Sequence, residues 1–217
     1  MPRGLNAQTA IVTGATGQDG YFLVRRLLDD GWRVWAAVRD VEAAEEVFQH
    51  HPNLTAVRRD LLDPGPLCAL IGDVRPEELY NLAGESSVGA SFDDPRRTWN
   101  SNAHAVVHLL DAIRGDSPQT RVYQASSGEM FGSPAGGSAV HDESSPLNPQ
   151  SPYAAAKAAA HLLCRSYRES YASGSPAASS STTRPPVVAR SSSREKSSTT
   201  SLTSDGRMSA RSSGSAT

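Results

Sequence analysis

The segment that constrains this chain most is residues 9–20, TAIVTGATGQDG, where a short β-branched run passes straight into three glycines at the head of an amphipathic stretch. A run such as residues 9–13 reads as a buried strand, and the stretch over 18–30 carries apolar residues at helical spacing. The glycines therefore sit at a strand-to-helix junction. Gly14 permits a tight turn, Gly17 lets backbone N–H groups approach a pyrophosphate, and Gly20 lets helix and strand pack closely. The free N–H groups of the helix start favour an anion at that place. A glycine triplet elsewhere would be a turn; at this junction it predicts dinucleotide binding.

The alternation that begins there continues. Strands are expected at residues 33–38, 54–58, 78–82 and 121–126, and helices at 41–50, 67–71, 95–114 and 152–171. Gly31 is placed to stop the first helix and Pro95 to start a long one. Five strands joined by helical crossovers predict an α/β fold, a doubly wound parallel sheet of the Rossmann type. Ligands of such sheets bind at the carboxyl ends of the strands.

Composition divides the chain at residue 171. All the aromatic residues and both cysteines precede that point, whereas residues 172–217 are mostly Ser, Thr, Ala, Arg and Pro. Only the first part can bury a core, so residues 1–171 are expected to form the domain and residues 172–217 a disordered tail. The tail carries six Arg and Lys against Glu195 and Asp205, which leaves the first part acidic within a total of -2 and argues against nucleic-acid binding. Cys68 and Cys164 suggest neither a disulfide framework nor a metal site. The start has no apolar signal core and no run is long enough to span a bilayer, so a cytoplasmic protein away from membranes is expected.

Three groups of residues carry candidate chemistry. Arg39 and Asp40 end the second strand, where an acid reads a ribose 2′-hydroxyl and an arginine a 2′-phosphate; Arg39 comes first, which favours NADP over NAD. Tyr153 and Lys157 lie four apart on one helix face, and an ammonium beside a phenol lets it act as a base near neutral pH. The fifth strand runs into QASSGEMFG and presents Ser126, Ser127 and Glu129 at its carboxyl end.

Through TGATGQDG, NLAGESSVGASF at residues 81–92, QASSGEMFG and PQSPYAAAK at 149–157, the chain resembles the extended short-chain dehydrogenases, most closely the GDP-mannose 4,6-dehydratases. The resemblance runs from Thr9 to Tyr171. It implies a cofactor site of Gly14, Thr16, Gly17, Gln18, Asp19, Gly20, Arg39, Asp60, Leu61, Leu82 and Ala83 together with Tyr153 and Lys157. It implies that Ser86 and Ser127 touch the sugar nucleotide, that Glu129 is the acid/base carboxylate and that Tyr153 and Lys157 are the oxidation pair. The expected reaction turns GDP-mannose into its 4-keto-6-deoxy derivative and water with the cofactor recycled, in an oligomer paired through the long helices. A carboxylate at Glu129 separates this reading from an epimerase or 4-keto reductase. This chain has Glu85, Ser86 and Ser87 where the family usually has Gln-Ser-His.

The tail departs from the family, which continues with a strand and the region that holds the GDP-sugar. Codons chosen for residues 172–183 and read from the third base, with two bases of an Arg184 codon, give LRLASGILFNHE; the same offset over residues 190–197 allows EFVTRKV. Both are family-like and in order. The expectation is that one nucleotide is missing after the Tyr171 codon, so that residues 172–217 are read out of frame and the chain, truncated in effect, is inactive. The reading of another class is a cofactor- or partner-binding fragment whose serine-rich tail is an interaction segment.

Overall fold

A computed structural model of the chain describes residues 7–132, 141–142 and 144–171. The tail expected at 172–217 lies outside the described residues. Five strands, β1 Thr9–Thr13, β2 Arg33–Val38, β3 Leu54–Arg58, β4 Glu78–Asn81 and β5 Arg121–Gln124, pair in parallel in the order β3-β2-β1-β4-β5. The helices are α1 Gln18–Asp29, α2 Val41–Val47, α3 Gly65–Val74, α4 Ala90–Asp93, α5 Pro95–Trp99, α6 Ala105–Asp116 and α7 Pro152–Tyr171. The order reverses between β1 and β4, and the crevice above that switch point is where this topology admits a ligand.

β1 is buried throughout because both of its faces are covered, as in a central parallel strand. Ile11 points to one side and packs with Leu79, with Leu67 and Ile71 of α3, and with Leu109 and Ile113 of α6. Ala10 and Val12 point to the other, where Val34, Ala36 and Val38 meet Val24, Leu27 and Leu28 of α1. Each such side chain contributes about 1.5–3 kcal/mol on full burial. With the sheet fixed from both sides, the strand ends above it are fixed too.

Where the elements differ from the sequence-based expectation, a side chain is responsible. α2 stops at Val47 because Phe48 is drawn into the core while Gln49 and His50 turn left-handed, with φ of 54° and 47°. The long helix expected at 95–114 is interrupted by a π turn over Asn100–His104. There the Asn102 amide donates to the carbonyls of Thr98, at 3.0 Å, and Glu85, at 3.1 Å, and the Ser101 hydroxyl also reaches the Thr98 carbonyl. Side chains that occupy a helix carbonyl displace the regular ladder and widen the turn. β4 and β5 end at Asn81 and Gln124, short of the expected 82 and 126, α3 is longer than expected, and α4 and a 3₁₀ turn at Gly128–Phe131 were not anticipated by periodicity.

Candidate active site

The loop after β1 is shaped by contacts that only glycine tolerates. Gly14 has φ +68°, and a Cβ there would stand 2.9 Å from the Ala83 nitrogen. A Cβ on Gly20 would meet the Gly14 carbonyl oxygen at 2.1 Å, so α1 can approach the loop this closely only without one. Gly17 caps α1, its N–H donates to the Gly14 carbonyl at 3.0 Å, and a Cβ added to it would meet no atom within 4 Å besides that carbonyl oxygen. Thr16, Gln18 and Asp19 line the rim and are exposed, while Gly20 is buried. The helix start with open space before it suits an anionic diphosphate.

Across β4, Thr13 performs a task that its place inside an apolar strand did not advertise. Its hydroxyl accepts from the N–H groups of both Leu82 and Ala83, each at 3.1 Å, and donates to the side-chain Oδ1 of Asn81 at 2.6 Å. Asn81 in turn donates to Gln124 at 2.8 Å, and Gln124 to the Ala125 carbonyl at 3.1 Å. That carbonyl receives the Lys157 ammonium at 3.3 Å. A continuous polar chain thus ties the carboxyl ends of β1, β4 and β5 to α7. Sequence reasoning missed Thr13, Asn81 and Gln124; the signal was a single polar residue closing each of three strands.

Lys157 is buried, and removal of its ammonium from water pulls its pKa down from 10.5 to about 8. Its Nζ lies 5.9 Å from the ring centre of Tyr153, one turn earlier and also buried. The expected pair is therefore formed. Ser127 caps the 3₁₀ turn by accepting from the Glu129 N–H at 3.3 Å, and Glu129 is exposed on that turn. Met130 and Phe131 anchor the turn by packing on Ala158, the residue after Lys157. Ser127 and Glu129 thus follow β5 on one turn, and Lys157 reaches the residue just past that strand. His161 comes within 3.5 Å of the Ser126 hydroxyl, and burial pushes the Cys164 thiol up to about 11, which makes it a packing residue.

The remaining expected residues lie at other points of the same edge. Arg39 is exposed at the end of β2, beside Asp40, whose carboxylate accepts from the Ala43 N–H at 3.0 Å and caps α2. Asp60 turns the chain after β3 by accepting from the Leu62 N–H, and Leu61 is half-buried next to it. Ser86 is exposed in the loop between β4 and α4 and stands apart from the β5 cluster in sequence and element. From Arg39 on β2 to Glu129 after β5 is three strand spacings, about 14 Å. That strip, with the open glycine loop at its centre, fits an extended dinucleotide laid across the strand ends. No cluster of three or more metal-ligating side chains occurs among the described residues.

A family model described as GDP-mannose 4,6 dehydratase matches residues 11–187. The chain belongs to that family. It is 36% identical over 175 residues to a GDP-mannose 4,6-dehydratase of Sinorhizobium fredii, covering 76% of this chain and 49% of the relative. It is 38% identical over 176 residues to GDP-mannose 4,6 dehydratase 2 of Arabidopsis thaliana, covering 75% and 46%. The chain spans about half the length of the curated relatives it matches. Among solved structures it is similar to a dTDP-glucose 4,6-dehydratase from Streptomyces venezuelae with NAD bound, at TM-score 0.67 and 29% identity, covering 76% of this chain and 52% of that one. The UDP-glucose 4-epimerase of Thermus thermophilus, complexed with NAD, is similar at TM-score 0.67 and 28% identity, with the same two coverages. The fold is thus similar to that of both a sugar-nucleotide dehydratase and an epimerase. No described helix is long and apolar enough to cross a membrane.

Proposed function

We propose that residues 7–171 are the cofactor-binding and catalytic part of a sugar-nucleotide 4,6-dehydratase that acts on GDP-mannose with NADP. The observation that supports this is Glu129, a carboxylate exposed on the turn four residues past Ala125, whose carbonyl holds Lys157. The glycine loop with Thr16, Gln18 and Asp19 receives the diphosphate, Asp60, Leu61, Leu82 and Ala83 border the adenine side, and Arg39 stands at the ribose. The names of the relatives support the sugar nucleotide, and the NAD in the two solved structures supports a nicotinamide cofactor.

In this reading Tyr153 takes the proton from the 4-hydroxyl of the hexose, and Ser127 holds that oxygen by a hydrogen bond. Lys157, held near neutral pH by burial, takes up or releases the proton that the phenol exchanges. The nicotinamide, when bound, supplies the hydride acceptor for carbon 4 and the donor for carbon 6. A 4-keto group acidifies the carbon 5 proton, Glu129 removes it, and the 6-hydroxyl departs as water with a proton returned by Glu129. As carbon 6 is reduced, carbon 5 regains a proton that replaces the one lost with the water and is matched by the proton Tyr153 took from the 4-hydroxyl, so atoms balance without an external reductant. Ser86 belongs to the substrate side of the crevice.

The composition of residues 172–217 and their family-like alternative frame lead us to propose a lost base after the Tyr171 codon and no turnover by the chain as written. Binding energy from the GDP end is what would hold carbon 4 in place, and a serine-rich segment provides no apolar wall for it. Sequencing the gene decides the frame. Incubation of frame-restored protein with GDP-mannose is expected to give a 4-keto-6-deoxy product; epimerised hexose with no loss of water would overturn the dehydratase reading. Robust dehydration by the unrepaired chain would overturn the frame proposal.

A further inference from the structure

A half-buried guanidinium without an acid partner is unusual in a folded chain, and Arg59 has none among the described residues. Its Nε is buried with no hydrogen-bond partner among the described residues, and its Nη1 turns back to the carbonyl of Arg58 at 2.6 Å. The Arg59 N–H donates to the Val38 carbonyl at 2.8 Å, which continues the β2–β3 ladder one step past the Val38–Arg58 pair. Arg59 therefore stands beside Arg39 at the carboxyl ends of adjacent strands.

The neighbouring acids are engaged elsewhere. Asp40 caps α2 through the Ala43 N–H, Glu42 reaches Arg58 at 3.6 Å, and Asp60 accepts from the Leu62 N–H. A ribose 2′-hydroxyl would call for a free carboxylate here; two arginines without an acid partner among the described residues call for a dianion with several oxygens. We infer that Arg59, together with Arg39, reads the 2′-phosphate of NADP and is a specificity-determining residue for the cofactor. This rests on the reading that the glycine loop holds a dinucleotide. The 2′-phosphate brings two negative charges to this pair of strand ends and supplies the acceptors that no described carboxylate supplies to either arginine.

The test is calorimetric titration of the full chain and its variants with NADP, NAD, 2′,5′-ADP and 5′-AMP, with the thermal midpoint of each variant as a check on folding. Arg59→Ala is expected to weaken NADP and 2′,5′-ADP about tenfold to hundredfold, while NAD and 5′-AMP change less than about twofold. Arg39→Ala behaves alike, and Arg59→Lys, which keeps the charge and loses the fork, falls between. If Arg59→Ala fails to fold, Arg59→Lys carries the comparison. An Arg59 variant that folds and binds NADP and NAD in the parental ratio overturns the inference. A parent chain that binds none of the four ligands overturns the dinucleotide reading and the inference with it, and is thereby distinguished from the first failure.

Discussion

The ammonium of Lys157 donates to the carbonyl of Ala125 across 3.3 Å, from the middle of α7 to the residue just past β5. A buried cation satisfied by a neutral carbonyl remains unfavourable, and this is the origin of its depressed pKa.

The first prediction follows from that shift. The folded chain holds the Lys157 proton with a pKa of about 8 against 10.5 when unfolded, so between these values the unfolded state binds more protons. Stability then rises with pH through that window, and the full penalty, about 3 kcal/mol, applies below pH 8. Denaturant midpoints at pH 7 and pH 9.5 should show the parent gaining stability on the alkaline side. Lys157→Met should abolish the gain; a parent with a flat profile would show that the ammonium is solvated.

A second prediction contrasts two glycines. In Gly20→Ala the new Cβ meets backbone of Gly14 and Ala15, which cannot yield, and the loop must move. The expected loss is about 1–3 kcal/mol of stability, with cofactor affinity falling about tenfold or more. In Gly31→Ala the Cβ meets nothing, and only the φ of +82° is strained, at about 1 kcal/mol and with no effect on cofactor. Thermal melts with cofactor titration separate the two. Equal cofactor affinity in both variants would mean that the loop is not the binding element.

Much of this was legible in the sequence, and the parts that were not share a cause. The bounds of β1, β2, β3 and α7 follow from periodicity and punctuation because burial on one or both faces dictates residue type there. The glycine loop and the Tyr153/Lys157 pair are local in sequence and could be read as motifs. The Thr13–Asn81–Gln124 chain joins three strands that are distant in sequence, and single polar residues in strands look like strand ends until the register is known. Arg59 was hidden for the same reason, since its nearness to Arg39 depends on the β2–β3 pairing. Periodicity also passed over the π turn at Asn100–His104, because the helical pattern persists while Asn102 takes the carbonyl that the backbone would use.

The polar chain yields a third prediction. Thr13→Val keeps the shape of the side chain and removes the acceptor of two N–H groups at a buried position, with an expected destabilisation of about 1–3 kcal/mol. Leu82 and Ala83 then lose their anchor, so cofactor binding should weaken as well. Thr13→Ser restores the hydroxyl and should recover affinity while leaving a small packing deficit. If Val and Ser variants bind cofactor alike, the hydroxyl does not set the loop after β4.

The last prediction separates the two acid/base groups in a frame-restored enzyme. Tyr153 and Lys157 are held together by α7, and Glu129 sits on a 3₁₀ turn fixed by Met130 and Phe131; in the proposed reaction the pair acts on the 4-hydroxyl and Glu129 later, at carbon 5. Glu129→Gln keeps the size of the side chain and removes its basicity. It should permit oxidation at carbon 4, seen as nicotinamide absorbance appearing at 340 nm in a single turnover, and should lower loss of water by about 10²–10⁴-fold. Tyr153→Phe should suppress both signals, because no proton leaves the 4-hydroxyl. Exchange of the carbon 5 proton with deuterium from solvent reads Glu129 directly and should vanish in Glu129→Gln. Dehydration at the parental rate in that variant would remove Glu129 from the mechanism and leave the site with the chemistry of an epimerase.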